Sequence, residues 1–264
     1  MTVTYPNLGN NGELGNQLFQ IAATYAYGLR ENRTPVFPQW KCSVSGNNYR
    51  DLFKNKINIQ GITQPIQTHT EPTFTYTSIP KYEEEIIGLN GYFQSEKYFK
   101  DFAGEIKTLF EPVDEVHNKL KEVDFTNSVS IQLRFYDRGP LDPQQYYYSS
   151  DEKIMIEYLK TAINYFGKNK TYYIATNSPN KAKSMFSKYP NFVFFNTLNL
   201  NSFEELFACS KCENNIITNS TFGWWGAYLN KNLDNIVFAP KKWFKVENWW
   251  FNSTDIYNDN WRVV

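Results

Sequence analysis

The sequence predicts an α/β fold in which the sheet is largely parallel. From Ser128 to Ala239, short apolar runs alternate with segments whose apolar residues recur at helical spacing, a pattern typical of consecutive strand–helix units. A length of 264 residues allows one large domain or two small ones. A composition of 41% hydrophobic and 20% charged residues is enough for a packed core and argues against disorder.

The first half of the chain gives two clear elements. Val3–Leu8 predicts a strand, and Gln17–Leu29 predicts the helix that follows it. The turn between them contains three glycines: Gly9, Gly12 and Gly15. Between residues 51 and 107 only the short hydrophobic segment Ile86–Phe93 stands out, so the order of elements in this region is left open.

The second half gives a regular series of elements. Ser128–Phe135 predicts a buried strand, and Ser149–Glu152 offers a capping box for a helix that Gly167 ends. The apolar face of that helix comprises Met155, Leu159, Ala162, Ile163 and Phe166. The remaining predicted strands are Tyr172–Thr176, Phe192–Phe195, Asn215–Thr218 and Ile236–Ala239, and the remaining helices are Lys181–Lys188, Phe203–Cys212 and Trp224–Leu229. A domain boundary is predicted near Asp124–Asn127.

Charge and composition exclude several classes of function. Lys+Arg and Asp+Glu both number 27, so the net charge is zero and nothing favours a nucleic-acid partner or an anionic membrane. The amino-terminal segment lacks the basic start and apolar run of a signal peptide, and no apolar stretch approaches the ~18 residues that span a bilayer. We therefore expect a cytoplasmic chain without a membrane span.

The cysteines and histidines offer little for metal binding. Cys209 and Cys212 form a C-x-x-C pair, but neither a second pair nor a nearby histidine completes a zinc site. Both are therefore interpreted as core positions. The chain has only two histidines, which leaves little material for a metal cluster or a Ser-His-Asp triad.

The segment Asn215–Gly226 is a candidate anion site. An apolar strand leads into Asn219, Ser220 and Thr221, and a helix follows. Free backbone N–H groups, hydroxyl donors and the positive end of a helix would meet there, an arrangement that suits a diphosphate. The alternative is that Ser220 or Thr221 only caps the helix.

Arg134 is a second candidate, because it lies at the predicted carboxyl end of a strand. Ligands of open α/β sheets bind at that edge, and an arginine there can hold a phosphate by two charge-assisted hydrogen bonds. The alternative is a surface ion pair with Asp137.

Several nucleotide-binding motifs are absent from the sequence. The glycines at positions 9, 12 and 15 form G-x-x-G-x-x-G rather than the dinucleotide fingerprint, and there is no P-loop. These absences disfavour a dehydrogenase and an NTPase. The D-x-D pattern that holds a divalent metal in many sugar transferases is also absent. If a nucleotide-sugar is bound, cationic side chains and helix dipoles must neutralise its leaving group, and no metal is expected.

Four blocks, in order, resemble the inverting, GDP-fucose-dependent α1,2-fucosyltransferases of glycosyltransferase family 11. Leu14–Gln20 (LGNQLFQ) is similar to the family's opening G-G-L-G-N-Q-M-F-Q, and Gly91–Phe99 (GYFQSEKYF) to its G-Y-F-Q-S-E-K-Y-F segment. Ser130–Asp137 stands where the family has H-x-R-R-G-D. The fourth block is Cys212–Leu229, followed by Ala239–Phe244, which resembles the family's C-K-H-N-I-I-A-N-S-[ST]-F-S-W-W-G-A-x-L and A-P-x-x-W-F segments. The resemblance covers residues 14 to 244.

The resemblance implies a GT-B-like architecture of two Rossmann-type halves, an acceptor-side domain of residues 1–125 and a GDP-fucose-binding domain of residues 126–264. The donor-binding residues that it implies are Gly15, Asn16, Gln17, Gln132, Arg134, Asn177, Glu205, Asn219, Ser220, Thr221 and Phe222. The carboxylate of Glu205 would accept hydrogen bonds from guanine N1–H and N2–H, a donor pair that uracil lacks. The alternative for Glu205 is an exposed helix residue.

The implied reaction is inverting transfer of L-fucose from GDP-β-L-fucose to the 2-hydroxyl of a terminal galactose. Arg134 would stabilise departing GDP, and Asp137 would accept the hydroxyl proton, with Asp142 or Glu13 as competing bases. The sequence departs from the family at Gln132, Phe135 and Tyr136, positions that the family fills with histidine, arginine and glycine. Another linkage (α1,3 or α1,6), another GDP-sugar, or a glycan-binding protein without activity therefore remain alternatives; the 18% aromatic content also suits the last of these.

Overall fold

The computed structural model describes residues 1–61, 64–136, 147–186, 191–245 and 252–264. The chain forms two compact units. The first contains Met1–Glu115 and a carboxyl-terminal segment ending at Asn258, and the second contains Val116–Glu247 and Asp259–Val264. The division between units therefore lies near residue 115, about ten residues before the boundary that the sequence suggested. No sequence pattern indicated that the carboxyl-terminal segment belongs to the first unit.

The first unit has a four-stranded parallel sheet in the order β2-β1-β4-β3. Its strands are β1 (Thr2–Thr4), β2 (Thr34–Val36), β3 (Gln67–Thr70) and β4 (Ile86–Asn90). The strand predicted over Val3–Leu8 is thus shorter than expected. The chain turns directly after Tyr5, where Pro6 lacks the N–H that a ladder needs and Leu8 N donates to Tyr5 O at 3.2 Å.

The helices of the first unit are α1 (Leu14–Arg30), α2 (Ala103–Leu109) and α3 (Asp114–Leu120), of which the unit division cuts the last. Helix α1 begins three residues earlier than predicted, so Gly15 belongs to the helix rather than to the turn. The turn before it depends on Gly9 and Gly12, whose φ angles are +93° and +79°. A Cβ on Gly9 would lie 2.1 Å from Lys41 O, so this close approach also requires glycine.

The second unit has a six-stranded parallel sheet in the order β10-β9-β8-β5-β6-β7. Its strands are β5 (Ser128–Leu133), β6 (Thr171–Thr176), β7 (Phe192–Phe194), β8 (Asn214–Ile216), β9 (Val237–Ala239) and β10 (Arg262–Val263). Every residue of β5 is buried, as expected for a central parallel strand covered on both faces. The predicted strands of this half are confirmed with ends shifted by one or two residues, and β10 was not predicted.

The helices of the second unit are α4 (Glu152–Phe166), α5 (Pro179–Phe186), α6 (Ser202–Lys211) and α7 (Thr221–Tyr228). Asp151 caps α4 by accepting from Lys153 N at 3.0 Å and Ile154 N at 3.3 Å, so the capping box predicted to start at Ser149 is wrong. Gly167 ends the helix with φ +82°, as predicted. The predicted apolar face packs on the core, and α7 begins three residues earlier than expected.

The strand order of the second sheet reverses between β5 and β8. From β5 the chain proceeds to β6 and β7 on one side, and from β8 to β9 and β10 on the other. Right-handed crossovers then place α4 and α5 on one face of the sheet and α6 and α7 on the other. In open α/β sheets, the carboxyl ends of the two strands at such a reversal form the crevice in which ligands bind.

Candidate functional site

A single hydroxyl joins the carboxyl ends of β5 and β8. Thr218 Oγ1 donates to Gln132 Oε1 at 3.1 Å and accepts from the backbone N–H of Arg134 at 3.1 Å. Gln132 is only 5% exposed, so its side chain supports Thr218 rather than standing in solvent. The polar residues of the two strands are thereby fixed relative to each other at the point where the strand order reverses.

The side chain of Arg134 is half-buried and available. Leu133 and Phe135 pack into the core under α4 and α5, and side chains alternate along a strand. Arg134 therefore projects to the face that carries α7. Its guanidinium forms no ion pair or hydrogen bond with the part of the chain that the structure describes. Asp137, the predicted base and the alternative ion-pair partner, lies outside the described residues.

The amino end of α7 meets β5 at close range. A Cβ on Gly223 would lie 2.6 Å from Gln132 Oε1 and 3.0 Å from Gln132 Cβ, so only glycine allows the first turn to approach this far. Ser220 is the N-cap residue, with extended backbone, but its side chain makes no capping hydrogen bond. The alternative that Ser220 caps the helix through its hydroxyl is therefore wrong. Ser220, Thr221 and Phe222 are all partly exposed.

Asn219 stabilises the turn between β8 and α7. It is 1% exposed, and its Nδ2 donates to Lys242 O at 2.9 Å. Its own carbonyl oxygen accepts a hydrogen bond from the hydroxyl of Tyr136. The Tyr136 ring stacks on Tyr147 at 4.9 Å between centroids, and Tyr147 stacks on Phe244 at 5.6 Å. Tyr136, which departs from the family motif, thus belongs to a stack that holds the β8–α7 turn.

Glu205 is buried beside the same helix. It lies in α6 and is 9% exposed, and its carboxylate has no hydrogen bond or ion pair with the described residues. Burial raises the pKa of its carboxyl group to about 7. One turn further along α6, Cys209 Cβ would meet a Cβ on Gly226 at 3.0 Å. Helices α6 and α7 each lead from the carboxyl edge of the sheet back to its amino edge, so they run parallel. Glu205, one turn before Cys209, therefore lies towards the amino end of α7.

The alternative that Glu205 is an exposed helix residue is therefore wrong. The interpretation of Cys209 and Cys212 as core positions is confirmed. Cys209 and Cys212 are 2% and 1% exposed and occupy the core, as predicted. Burial raises the pKa of both thiols, which makes them poor metal ligands and poor nucleophiles. Within the described ranges no group of three His, Cys, Asp or Glu side chains is placed to hold a metal ion.

The side chain of Asn177 forms hydrogen bonds with the backbone of Phe135, the residue after Arg134. Its Oδ1 accepts from Phe135 N at 2.9 Å, and its Nδ2 donates to Phe135 O at 3.0 Å. Both polar atoms of this predicted donor ligand are thus committed to fixing the end of β5. Phe135 is 4% exposed, with Lys181 Nζ 4.8 Å from its ring centroid.

The three predicted residues of the first unit lie at the start of α1. Gln17 has no exposed surface: its Nε2 donates to Gly12 O at 2.7 Å, and its Oε1 accepts from Trp40 Nε1 at 2.7 Å. Gly15 is buried, and Asn16 is partly exposed, with Oδ1 accepting from Gln94 Nε2 at 3.0 Å. Asn16 keeps part of its surface exposed, whereas Gln17 shapes the turn.

Sequence reasoning missed Thr218, which joins the two strand ends. The residue was included in a predicted strand, and a threonine there has no signal beyond β propensity. The structure ends β8 at Ile216, which frees the Thr218 hydroxyl to bridge Gln132 and Arg134.

The second unit has the architecture of a Rossmann-type domain, with an arginine and a helix amino end at the strand reversal. Residues 7–264 match Glycosyl transferase family 11, and the chain belongs to that family.

Relatives of known name agree with this membership. The chain is 27% identical to an alpha-1,2-colitosyltransferase of Escherichia coli, over 95% of each chain. It is 24% identical to the putative galactoside 2-alpha-L-fucosyltransferase svh-11 of Caenorhabditis elegans, over 85% of this chain and 68% of the relative. The crystal structure of fucosyltransferase NodZ from Bradyrhizobium superposes with a TM-score of 0.56 at 11% identity, covering 86% of this chain and 92% of NodZ. The expected GT-B-like class, with two largely parallel sheets, is confirmed.

Among the helices that the structure describes, none combines the length and the apolar composition needed to cross a bilayer.

Proposed function

We propose that this protein transfers L-fucose from GDP-β-L-fucose to the 2-hydroxyl of a terminal galactose, with inversion and without a metal ion. The observation that carries the proposal is the half-buried Arg134 guanidinium, unpaired within the described chain, at the strand reversal beside the amino end of α7. Family membership supports sugar transfer. The names of two relatives support a 1,2 linkage and a galactoside acceptor, and NodZ was crystallised with GDP.

The donor diphosphate would be held by one cation and one helix end. Arg134 offers two parallel N–H donors to phosphate oxygens. Ser220 and Thr221 add hydroxyl donors, and the first backbone N–H groups of α7 complete the cradle. These groups neutralise the charge that develops on GDP as it departs, the task that a metal ion performs in other transferases.

Glu205 gives the site a means of selecting guanine. The ionised carboxylate would accept from N1–H and from N2–H, and Phe222, at the same end of the helix pair, would cover the base. Without a ligand the carboxylate is buried and has no partner among the described residues, a state that costs free energy. Binding of a base that supplies two donors relieves this cost, whereas uracil would leave it in place.

Four of the predicted donor residues would act by positioning. Gln132 holds Thr218, and Asn177 holds the backbone at Phe135. Asn219 fixes the turn before α7, and Gln17 the turn before α1. Gly15 and Asn16 stay predicted donor ligands.

The transfer step is one displacement at the anomeric carbon of fucose. The bond from that carbon to the β-phosphate oxygen breaks, and its electron pair leaves with GDP. The acceptor oxygen forms the new bond from the opposite side, so configuration inverts, and the acceptor proton passes to a base. We assign this role to Asp137, with Asp142 and Glu13 as competitors. An Asp137→Asn enzyme is expected to lose activity across the pH range, and full activity would overturn the assignment.

The experiment that tests the proposal combines purified protein, GDP-fucose, a panel of β-galactosides and excess EDTA, with products read by mass spectrometry. A mass increase of one fucosyl residue, joined at O2 by NMR, is the expected result. Product that appears only after metal is restored would overturn the metal-independent step. A product linked at O3 or O6 would overturn the assigned linkage.

A second candidate is transfer of a related deoxysugar, favoured by the 27% identity to a colitosyltransferase over 95% of both chains. Competition between nucleotide-activated fucose and colitose in one reaction separates the two, because the products differ in mass. Binding of glycans without turnover of either donor would instead indicate a protein that only binds glycans. The cytoplasmic location expected from the sequence stays a prediction.

A further inference from the structure

The turn that follows β4 in the first unit is held in an unusual backbone conformation. Gly91 has φ +152°, and Phe93, a bulky residue without glycine's freedom, has φ +52°. A left-handed conformation costs such a residue roughly 1–2 kcal/mol, and surrounding contacts must hold it. The turn lies at the carboxyl edge of the first sheet, the edge at which parallel sheets bind ligands.

A buried carboxylate supplies much of that restraint. Glu71, directly after β3, is 8% exposed and accepts from Tyr92 N at 2.7 Å and from Phe93 N at 3.0 Å. The hydroxyl of Tyr98 donates to the same carboxylate at 3.2 Å. A Cβ on Gly91 would lie 2.4 Å from Glu71 Cβ, so glycine at 91 lets the carboxylate reach both amides.

The rest of the turn is fixed by neighbouring side chains. The hydroxyl of Tyr5 donates to Gly91 O at 2.7 Å, so the peptide before Tyr92 is held at both its oxygen and its N–H. Phe93 has no exposed surface and packs edge-on against Tyr98, with ring centroids 5.1 Å apart. Gln94 donates to Asn16 Oδ1 at 3.0 Å.

Tyr92 is the exception in this turn. Its side chain is large and 44% exposed, and it makes neither a ring contact nor a hydrogen bond with the described part of the chain. A strained backbone, held at three successive residues, thus presents an aromatic ring that has no partner among the described residues. An exposed aromatic face suits a sugar ring, whose apolar C–H groups can stack on it.

We propose that Tyr92 contacts the acceptor sugar and that Glu71 is the positioning residue that holds it, an inference that rests on the proposed transfer to a galactoside. The acceptor ring stacks on the phenol, and Glu71 fixes the backbone from which the phenol extends before the acceptor arrives. Loss of the ring lowers acceptor affinity, whereas handling of the donor alone, including its hydrolysis by water, does not involve Tyr92.

The test compares Tyr92→Ala, Tyr92→Phe and Glu71→Gln with wild type, using lactose and N-acetyllactosamine as acceptor probes. Tyr165→Ala in the second unit is the control for loss of an exposed tyrosine: Tyr165 is 48% exposed, although its ring also contacts Phe166 and Phe238. Three quantities are measured: the acceptor KM and kcat, the rate of GDP-fucose hydrolysis without acceptor, and direct acceptor binding by NMR saturation transfer. Thermal unfolding checks that each variant is folded.

Tyr92→Ala is expected to lower acceptor kcat/KM about tenfold, mostly through KM, with hydrolysis unchanged, while Tyr92→Phe retains most of the activity. Glu71→Gln offers one acceptor oxygen instead of two, so it is expected to raise the acceptor KM in the same direction. Equal loss of hydrolysis and transfer in Glu71→Gln would overturn the positioning role. Unchanged acceptor kinetics and binding in Tyr92→Ala would overturn the contact itself.

The outcome for Tyr92 is separable from the proposed function. If wild type transfers fucose and Tyr92→Ala does so equally well, the acceptor contact is wrong and the function stands. If wild type transfers nothing but binds the galactosides in a Tyr92-dependent way, the contact stands and the function is wrong. If wild type neither transfers to the galactosides nor binds them, both are wrong.

Discussion

The Thr218 hydroxyl accepts a hydrogen bond from the Arg134 backbone amide at 3.1 Å, across the reversal of strand order in the second sheet. The same hydroxyl donates to Gln132 Oε1. Neither strand end alone supplies both the Arg134 guanidinium and the amino end of α7. Thr218 fixes the backbone from which the Arg134 guanidinium extends and the turn from which α7 begins, so both groups can face one diphosphate.

Thr218→Val is expected to lower the free energy of unfolding by about 1–3 kcal/mol, because the Arg134 amide and Gln132 Oε1 lose their partner while the volume stays the same. GDP affinity falls as well, since the guanidinium is no longer held in place. Thermal unfolding with and without GDP measures both effects. Thr218→Ser keeps the hydroxyl and serves as control. A Val variant that matches the Ser variant in both measurements would show that the bridge is unimportant.

Gly223→Ala tests the close approach of α7 to β5. The added Cβ would meet Gln132 Oε1 at 2.6 Å, and buried Gln132 cannot move away cheaply. We expect a loss of about 1–3 kcal/mol in unfolding free energy and weaker GDP binding. Gly104→Ala in α2 is the matched control, because its Cβ would meet no atom within 4 Å and alanine favours the helix by up to about 1 kcal/mol. Equal stability of the two variants would contradict the close packing.

Glu205→Gln is expected to change the pH dependence of stability. The pKa of Glu205 is raised from 4.5 to about 7 by burial, so between these values the folded protein binds more protons than the unfolded chain. Wild-type stability therefore falls as pH rises through this window, and the contribution of this group is at most ~3 kcal/mol. The Gln variant lacks this fall and becomes relatively more stable above pH 7. Denaturant titrations from pH 4 to 8 measure it, with exposed Glu157→Gln as control. If the unfolding free energies of wild type and Glu205→Gln change with pH in the same way, Glu205 does not titrate in this range.

The same carboxylate should make base recognition dependent on pH. The ratio of GDP to IDP affinity cancels phosphate titration, because the two nucleotides differ only in the 2-amino donor. As Glu205 ionises, this ratio is expected to rise from pH 6 to pH 8 in wild type and to stay flat in Glu205→Gln. Calorimetric titration with both nucleotides provides the measurement. A ratio that is independent of pH in wild type would remove Glu205 from the base site.

Much of the second unit could be predicted because parallel central strands are buried on both faces. Strand β5 has six buried residues in succession, so its apolar run is visible in the sequence. In the first unit, β3 is the edge strand Gln67–Thr70, whose four polar residues carry no apolar signal. Its position is fixed instead by pairing with β4, a contact distant in sequence.

The site was predictable where one residue type carries the chemistry, and not where function depends on contacts between distant segments. Arg134 and Ser220 follow apolar runs, so the edge of the sheet could be anticipated. The clamp of Glu71 on Tyr92 and Phe93 joins positions about twenty residues apart through backbone amides, which leave no trace in side-chain patterns. The bridge from Thr218 to Arg134 spans 84 positions and is equally invisible.

The most direct test of the central claim is the affinity for GDP, measured by calorimetry in EDTA, of wild type, Arg134→Ala and Arg134→Lys. Lys168→Ala removes an equal charge from an exposed position of the second unit and is the control. Loss of charge-assisted contacts worth ~1.5–3 kcal/mol predicts binding at least tenfold weaker for Arg134→Ala, with Arg134→Lys between it and wild type. Unchanged GDP affinity in Arg134→Ala, or equal weakening in Lys168→Ala, would contradict the assignment of the donor diphosphate to the end of β5.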